Sequence, residues 1–165
     1  MGIFTAAIAL LSKGGSQETE ERHRVKYSED GTEVKPIVLI IDDDTSFLDT
    51  MRTLLSGAGY DVLASSTGPK GLDMIRYAAR DIDAVLLDFN MPRFNGTETL
   101  QFLRKLSPQV KVVAVSGVKQ TELPPEFCEG VERFVPKPFS NGDLLKALDE
   151  VLQEKFAEAP AAVAE

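Results

Sequence analysis

The chain has few residues that could support thiol or imidazole chemistry. Its 165 residues include one cysteine, one histidine and no tryptophan. The single cysteine, Cys128, excludes an internal disulfide, which is typical of a reducing compartment, so we expect a cytoplasmic protein. The only histidine, His23, lies far upstream of Cys128, which favours a half-buried thiol over a nucleophile. His23 itself has charged neighbours, which favours a solvated side chain over a phosphorelay histidine.

Long apolar runs and clusters of basic residues are also scarce. No stretch approaches the roughly 20 apolar residues that a transmembrane helix requires, so we expect no transmembrane span. Lys and Arg number 18 against 26 Asp and Glu, and the formal net charge of −8 should repel a phosphate backbone. We therefore expect protein partners and no direct binding of nucleic acid.

The composition divides the chain into three segments. Residues 1–35 contain a short apolar segment followed by a polar stretch, which is either a linker or a hairpin around Asp30 and Gly31. Residues 36–155 show regular apolar periodicity and form the predicted domain. Residues 156–165 are mostly small residues and include a proline, and we expect a flexible tail there.

Within the predicted domain, apolar β-branched runs alternate with amphipathic segments of helical period. This alternation implies right-handed crossovers and a parallel sheet covered on both faces. We therefore predict an α/β fold with a five-stranded, doubly wound parallel sheet of order 2-1-3-4-5, as in flavodoxin-like proteins. The prolines Pro124 and Pro125 should shorten the helix of the fourth crossover. The predicted strands are 37–41, 60–64, 82–87, 110–115 and 132–135.

Polar residues follow four of these strands. They are Asp42 to Asp44, Asp88, Ser116 and Lys137. In a doubly wound sheet, ligands bind beyond the carboxyl ends of the strands at the point where the strand order reverses. Each residue alone is better interpreted as a surface or turn residue, and Asp44 as the N-cap of the first helix. Their convergence at one edge instead predicts a site.

The residue types at this edge favour a metal and a phosphoryl group. Carboxylates of Asp42, Asp43 and Asp88 would repel one another without a cation, and oxygen ligands suit Mg²⁺. Lys137 supplies a positive charge, and Ser116 a hydroxyl, for phosphate oxygens. The chain has no glycine-rich Walker loop for a nucleotide. The set therefore predicts a single phosphoryl group carried on an aspartate.

Four motifs that carry these residues resemble the receiver domain of two-component response regulators, and the resemblance covers about residues 36–155. In family order and spacing, the motifs are Ile40–Asp44, Leu87–Pro92 with Asn95 and Gly96, Val115–Gly117, and Phe134–Phe139. The resemblance implies Asp88 as the phosphoacceptor, with Ser116 and Lys137 assisting. The remaining roles that it implies are Asp42, Asp43, Asp88 and Asn90 for Mg²⁺, and Ser116 and Phe134 for a conformational switch.

The same resemblance implies a function in signal transduction. The domain would accept a phosphoryl group on Asp88 from a sensor histidine kinase or a histidine phosphotransfer protein and signal through altered binding to a downstream target protein. It would catalyse only its own phosphorylation and dephosphorylation, so we do not expect an enzyme that acts on other substrates. Only about ten residues follow the last predicted helix, so we expect a stand-alone receiver without an output domain.

Two alternatives stay open at this point. A receiver-like scaffold would bind a partner without phosphorylation, although none of the expected Asp or Lys residues is missing. A haloacid-dehalogenase-type phosphatase would use an Asp-x-Asp motif after the first strand, which Asp42 and Asp44 match in spacing. That class needs a further acidic pair after the lysine at a strand end, and here only helix acids such as Asp143 and Asp149 follow Lys137.

Overall fold

The computed structural model describes residues 26–27, 33–78 and 82–158. At its start, two short strands, β1 (Lys26–Tyr27) and β2 (Glu33–Val34), pair antiparallel. This pairing is the one expected of the predicted hairpin, whose turn at Asp30 and Gly31 lies outside the described residues. His23 and the apolar segment near the beginning of the chain lie outside them as well.

The main sheet has five parallel strands in the order β4-β3-β5-β6-β7. Numbered within this sheet alone, the order is 2-1-3-4-5, so the predicted fold is confirmed. Each strand begins at, or one residue after, its predicted start. The strands are β3 (Ile37–Ile41), β4 (Asp61–Ser65), β5 (Ile82–Asp88), β6 (Lys111–Ser116) and β7 (Arg133–Pro136).

Helices cover both faces of this sheet because successive strand residues point to opposite sides. Val38 and Ile40 of β3 pack with residues of the first and last helices, whereas Leu39 and Ile41 pack with residues of the three middle helices. The central strand β5 is buried along its whole length. The helices are α1 (Thr45–Gly57), α2 (Gly68–Ala78), α3 (Gly96–Leu106), α4 (Pro125–Glu129) and α5 (Asn141–Glu158).

The fourth crossover is short, as its prolines predicted. A single 3-10 turn (Gln120–Glu122) precedes α4, which has only five residues and begins at Pro125. Pro125 occupies the first helical position, where a missing backbone N–H removes no intrahelical hydrogen bond. The side chain of Phe127 nevertheless fills the core beneath this helix, since it is fully buried.

The last helix, α5, ends at Glu158 and so includes the first three residues of the segment 156–165, for which we predict a flexible tail. Residues 159–165 lie outside the described ones. A half-buried lysine joins the end of this helix to a buried aspartate, because Lys155 Nζ lies 2.8 Å from Oδ1 of Asp83. Asp83 also accepts a hydrogen bond from the backbone N–H of Ile37 at 2.9 Å, so one carboxylate joins the starts of β3 and β5 to α5.

No helix in the described part of the chain combines the length and the apolar character that crossing a membrane requires.

Candidate functional site

The carboxyl ends of the strands bring the predicted site residues to one edge of the sheet. Asp42 and Asp43 directly follow β3, and Asp88 is the last residue of the neighbouring strand β5. Ser116 ends β6, and Lys137 directly follows β7. The strand order reverses between β3 and β5, so this edge is the topological switch point of the fold.

Three carboxylates gather at the switch point. Oxygen atoms of Asp42, Asp43 and Asp88 all lie within 4.8 Å of one another. Asp42 is 2% exposed and Asp88 is 5% exposed, whereas Asp43 faces solvent. Buried like charges repel strongly because little water screens them, so this cluster requires a cation.

The ammonium of Lys137 supplies one such cation. Its Nζ lies 2.6 Å from Oδ2 of Asp42 and 3.3 Å from Oδ1 of Asp88, and it donates a hydrogen bond to each. The backbone N–H of Lys137 donates to the carbonyl of Ser116 at 2.8 Å, which fixes the lysine beside the end of β6. Through its two hydrogen bonds, Lys137 bridges the buried carboxylates of Asp42 and Asp88 across the switch point. The peptide bond between Lys137 and Pro138 is cis.

The first helix supports the carboxylate of Asp42. The backbone N–H of Asp44 donates to Oδ1 of Asp42 at 2.9 Å. Asp44 is the N-cap of α1, as predicted, since its carboxylate accepts the backbone N–H groups of Ser46 and Phe47. Asp42 thus has one oxygen bound by the start of the helix and the other by Lys137.

Sequence reasoning missed an aromatic contact at this site. The ring centroid of Phe47 lies 4.2 Å from Nζ of Lys137, well within the range of a cation–π interaction. Phe139 packs edge-on against the same ring, with centroids 6.1 Å apart. Helical spacing in the sequence marks Phe47 only as part of the apolar face of α1, and both rings do pack against the core cluster beneath α1 and α5. The neighbouring lysine is a long-range contact that spacing does not reveal.

Ser116 and Phe134 lie on the side of the site formed by β6 and β7. Ser116 is fully buried, and its Oγ accepts the backbone N–H of Val118 at 3.1 Å. Phe134 is half-buried and packs against the core on the face covered by α2, α3 and α4. Gly117 leaves space next to Ser116, because an added Cβ would have no neighbour within 4 Å.

The loop after β5 approaches the Asp88 backbone closely. Asn90 is exposed, and its backbone donates a hydrogen bond to the Asp88 carboxylate. A Cβ on Gly96, the first residue of α3, would lie 2.7 Å from the carbonyl oxygen of Asp88. Only glycine therefore fits where α3 meets the end of β5. Asn95 and Glu98 form a capping box that starts α3 at this position.

The environment shifts the pKa values of the bridged pair. Burial is the main cause that raises the pKa of Asp88; the charge of Lys137 opposes it and the charge of Asp42 adds to it. For Lys137, burial alone would lower the pKa, but the hydrogen bond to Asp42 and the two carboxylate charges outweigh it, so the pKa is raised. The lysine thus stays charged, while the Asp88 carboxylate is held in an unfavourable environment.

A flavodoxin-like α/β domain with an acidic cluster and a lysine at its switch point is a recognisable class of protein. Residues 38–149 match the family described as the response regulator receiver domain. The chain therefore belongs to the receiver family of two-component response regulators. The haloacid-dehalogenase alternative is not supported, because Asp44, the second acid of its motif, caps α1.

Relatives in this family are both curated proteins and solved structures. The transcriptional regulatory protein CpxR of Escherichia coli is 30% identical over 118 residues, which are 70% of this chain and 49% of CpxR. The cell cycle transcriptional regulator CtrA of Caulobacter vibrioides is 25% identical over 127 residues, which are 76% of this chain and 54% of CtrA. The chain thus spans about half the length of these relatives.

Among solved structures, a CheY-like receiver domain protein from Methanospirillum hungatei is 31% identical with a TM-score of 0.68. The match covers 76% of this chain and 99% of that one. A receiver domain protein from Clostridium thermocellum is 26% identical with the same TM-score of 0.68, over 73% of this chain and 96% of that one. Both similarities extend over nearly the whole of the solved domains.

We expect Asp88→Asn to stabilise the protein in the absence of metal, by an amount on the order of 1 kcal/mol at neutral pH. Because the folded-state pKa of Asp88 lies above its ordinary value of 3.8, ionisation of this carboxyl destabilises the fold as pH rises through the folded-state pKa. Urea unfolding in EDTA between acid and neutral pH checks this. The gain should be present at neutral pH and should shrink in acid, where the carboxyl is protonated in both states; a gain of equal size at every pH would contradict the argument.

Proposed function

We propose that this receiver domain accepts a phosphoryl group on Asp88 in a Mg²⁺-dependent reaction. The observation that supports the proposal best is the bridge of Lys137 between Asp88 and Asp42 inside a cluster of three carboxylates. A surface aspartate would need neither a buried position nor a shared counter-ion. Here both are present at the edge of the sheet where a doubly wound fold binds its ligands.

The donor set at this edge fits Mg²⁺. Three carboxylates within 4.8 Å of one another offer the hard oxygen ligands that this ion prefers, and Asp43 is exposed and so available to it. We assign Asp42, Asp43 and Asp88, with the backbone carbonyl of Asn90, as the residues that would hold the ion. When bound, the ion would neutralise negative charge on the transferred group.

The protein's own residues carry the remaining chemistry. A carboxylate oxygen of Asp88 attacks the phosphorus of a phosphohistidine, a P–O bond forms, the P–N bond breaks, and the imidazole leaves with the bonding electron pair. Lys137 then donates hydrogen bonds to phosphoryl oxygens, and the hydroxyl of Ser116 donates another. Attack of water on the phosphorus then breaks the P–O bond to Asp88, which releases inorganic phosphate and returns the carboxylate. The burial that raises the pKa of Asp88 also leaves its carboxylate weakly solvated and thus more reactive.

The donor and the target are proteins in this proposal. A sensor histidine kinase or a histidine phosphotransfer protein supplies the phosphoryl group, and a downstream protein binds the phosphorylated form. The relatives CpxR and CtrA are named as transcriptional regulators, which supports a regulatory role for the domain. The domain modifies only itself, so we do not propose an enzyme that acts on other substrates.

Phosphorylation with acetyl phosphate and Mg²⁺ tests the proposal. We expect one phosphoryl group per wild-type chain by intact-mass analysis, sensitive to hydroxylamine as an acyl phosphate should be, and none in EDTA. Asp88→Asn should remain unlabelled because the nucleophile is gone, whereas Asp49→Asn, which removes an exposed carboxylate from α1, should be labelled normally. Equal labelling of wild type and Asp88→Asn would refute Asp88 as the acceptor, and a wild type that is never labelled by any donor would favour the scaffold alternative.

A second prediction concerns the metal ligands. Asp43→Ala should lower Mg²⁺ affinity by about tenfold or more, because an exposed carboxylate ligand is lost. The same change should stabilise the metal-free protein, since it relieves repulsion within the acidic cluster. Thermal unfolding measured across a Mg²⁺ titration, including a point without metal, reports both effects. Asp49→Ala is the matched surface control. Unchanged affinity in Asp43→Ala would remove Asp43 from the metal site.

A third prediction concerns transmission of the signal. We expect the Ser116 hydroxyl, which now accepts the N–H of Val118, to turn toward the phosphoryl oxygens while Phe134 repacks. Beryllofluoride should therefore change amide exchange within residues 117–139 of the wild type. Ser116→Ala should still accept phosphate on Asp88 but show a much smaller exchange response. Identical exchange with and without beryllofluoride in the wild type would show that this segment does not switch.

A further inference from the structure

Phe47 belongs to a closed circuit of contacts that includes Asp44, Asp42 and Lys137. Its backbone N–H donates to the Asp44 carboxylate at 3.1 Å, and the N–H of Asp44 donates to Asp42 at 2.9 Å. Asp42 accepts a hydrogen bond from Lys137 at 2.6 Å, and the Lys137 ammonium lies 4.2 Å from the centre of the Phe47 ring. The start of α1 therefore fixes the aromatic ring and the carboxylate on the same ammonium.

The loop that carries the lysine also supports this ring. Phe139, two residues after Lys137, packs on Phe47 with an interplanar angle of 86°. Edge-to-face packing places the positive edge of one ring against the negative face of the other and restricts ring rotation. Phe47 is half-buried, so the ring contacts the ammonium where water is partly excluded. These contacts fix the ring relative to Lys137 before any ligand binds.

An aromatic ring and a carboxylate bind an ammonium group in different ways. A carboxylate neutralises the positive charge and competes with an incoming phosphoryl group for the N–H donors. The quadrupole of a ring attracts the cation while leaving its full charge available. If Lys137 exchanges its bond to Asp42 for one to a phosphoryl oxygen, its contact with Phe47 need not break.

We propose that Phe47 is a positioning residue for phosphorylation of Asp88, acting through a cation–π contact that orients the Lys137 ammonium toward the phosphoryl group. This inference rests on the proposed function of Asp88. The ring does not touch the reacting atoms, and its effect on the reaction passes through the lysine.

Fluorinated analogues of phenylalanine at position 47 of the full-length chain test this role. Successive fluorination weakens the negative face of the ring with little change in its shape, so it reduces the cation–π contact selectively. The rate constant for labelling by acetyl phosphate with Mg²⁺ should fall stepwise through mono-, di- and pentafluoro rings, by about 3- to 10-fold at the end of the series. The labelling rate of Phe47→Leu should fall by a similar factor, whereas Phe47→Tyr should keep most of the wild-type rate.

Phe102 provides a matched control. Its ring lies 5.3 Å from Nζ of Lys105 on α3, so it makes a cation–π contact outside the proposed site. Pentafluorination at position 102 should leave the labelling rate unchanged. If the wild type is labelled but the labelling rate does not change across the fluorine series at position 47, the role of Phe47 alone is overturned. A wild type that cannot be labelled at Asp88 would overturn the proposed function and this inference together.

Discussion

The structure depends most on one shared counter-ion, the ammonium of Lys137. Two carboxylates that are almost fully buried, Asp42 and Asp88, end adjacent strands of the sheet, and their charges would destabilise the fold if they were left unpaired. Lys137 pairs with both of them from the loop after the last strand of the sheet. Because the lysine carries a single charge, it leaves net negative charge among the three carboxylates of the cluster. A divalent cation is the partner that this remaining charge suits.

This constraint explains why elements far apart in sequence meet at the site. Lys137 is 95 residues from Asp42, so the two side chains meet only because the parallel sheet brings the ends of β3 and β7 to the same edge. Gly96 lets α3 approach the end of β5, and the Asp44 cap starts α1 directly after the acidic pair. Each of these local features serves the same edge of the sheet. At the opposite edge of the sheet, the buried carboxylate of Asp83 pairs with the half-buried Lys155.

Much of the fold follows from local patterns in the sequence. The strand runs, the cap at Asp44 and the shortened fourth crossover at Pro124 each depend on neighbours along the chain, and sequence reasoning predicted them. The residues at the strand ends were also predictable, because the switch point of a doubly wound sheet collects whatever polar residues follow its strands. For these features, the periodicity and the order of the elements were enough.

The remaining features depend on contacts that periodicity does not encode. An apolar residue at helical spacing, such as Phe47, is assigned to the core whether or not a cation lies above its ring. The contact of α5 with a distant strand is likewise invisible to periodicity, since Lys155 reaches Asp83 across 72 residues of sequence. Arg104 is a further example. Its guanidinium pairs with Glu132 and also donates to the carbonyl oxygen of Gly130, in the loop between α4 and β7. Such contacts join residues far apart in sequence and exist only in the assembled sheet.

In the proposed reaction, Lys137 is a counter-ion that exchanges a carboxylate partner for the phosphoryl group. A crystal structure of the chain with Mg²⁺ and beryllofluoride would reveal this exchange. We expect beryllium bound to Asp88, a hydrogen bond from Nζ of Lys137 to a fluorine, and a lengthened or broken contact between Lys137 and Asp42. Beryllofluoride bound to Asp88 with Lys137 still paired to Asp42 and touching no fluorine would contradict it.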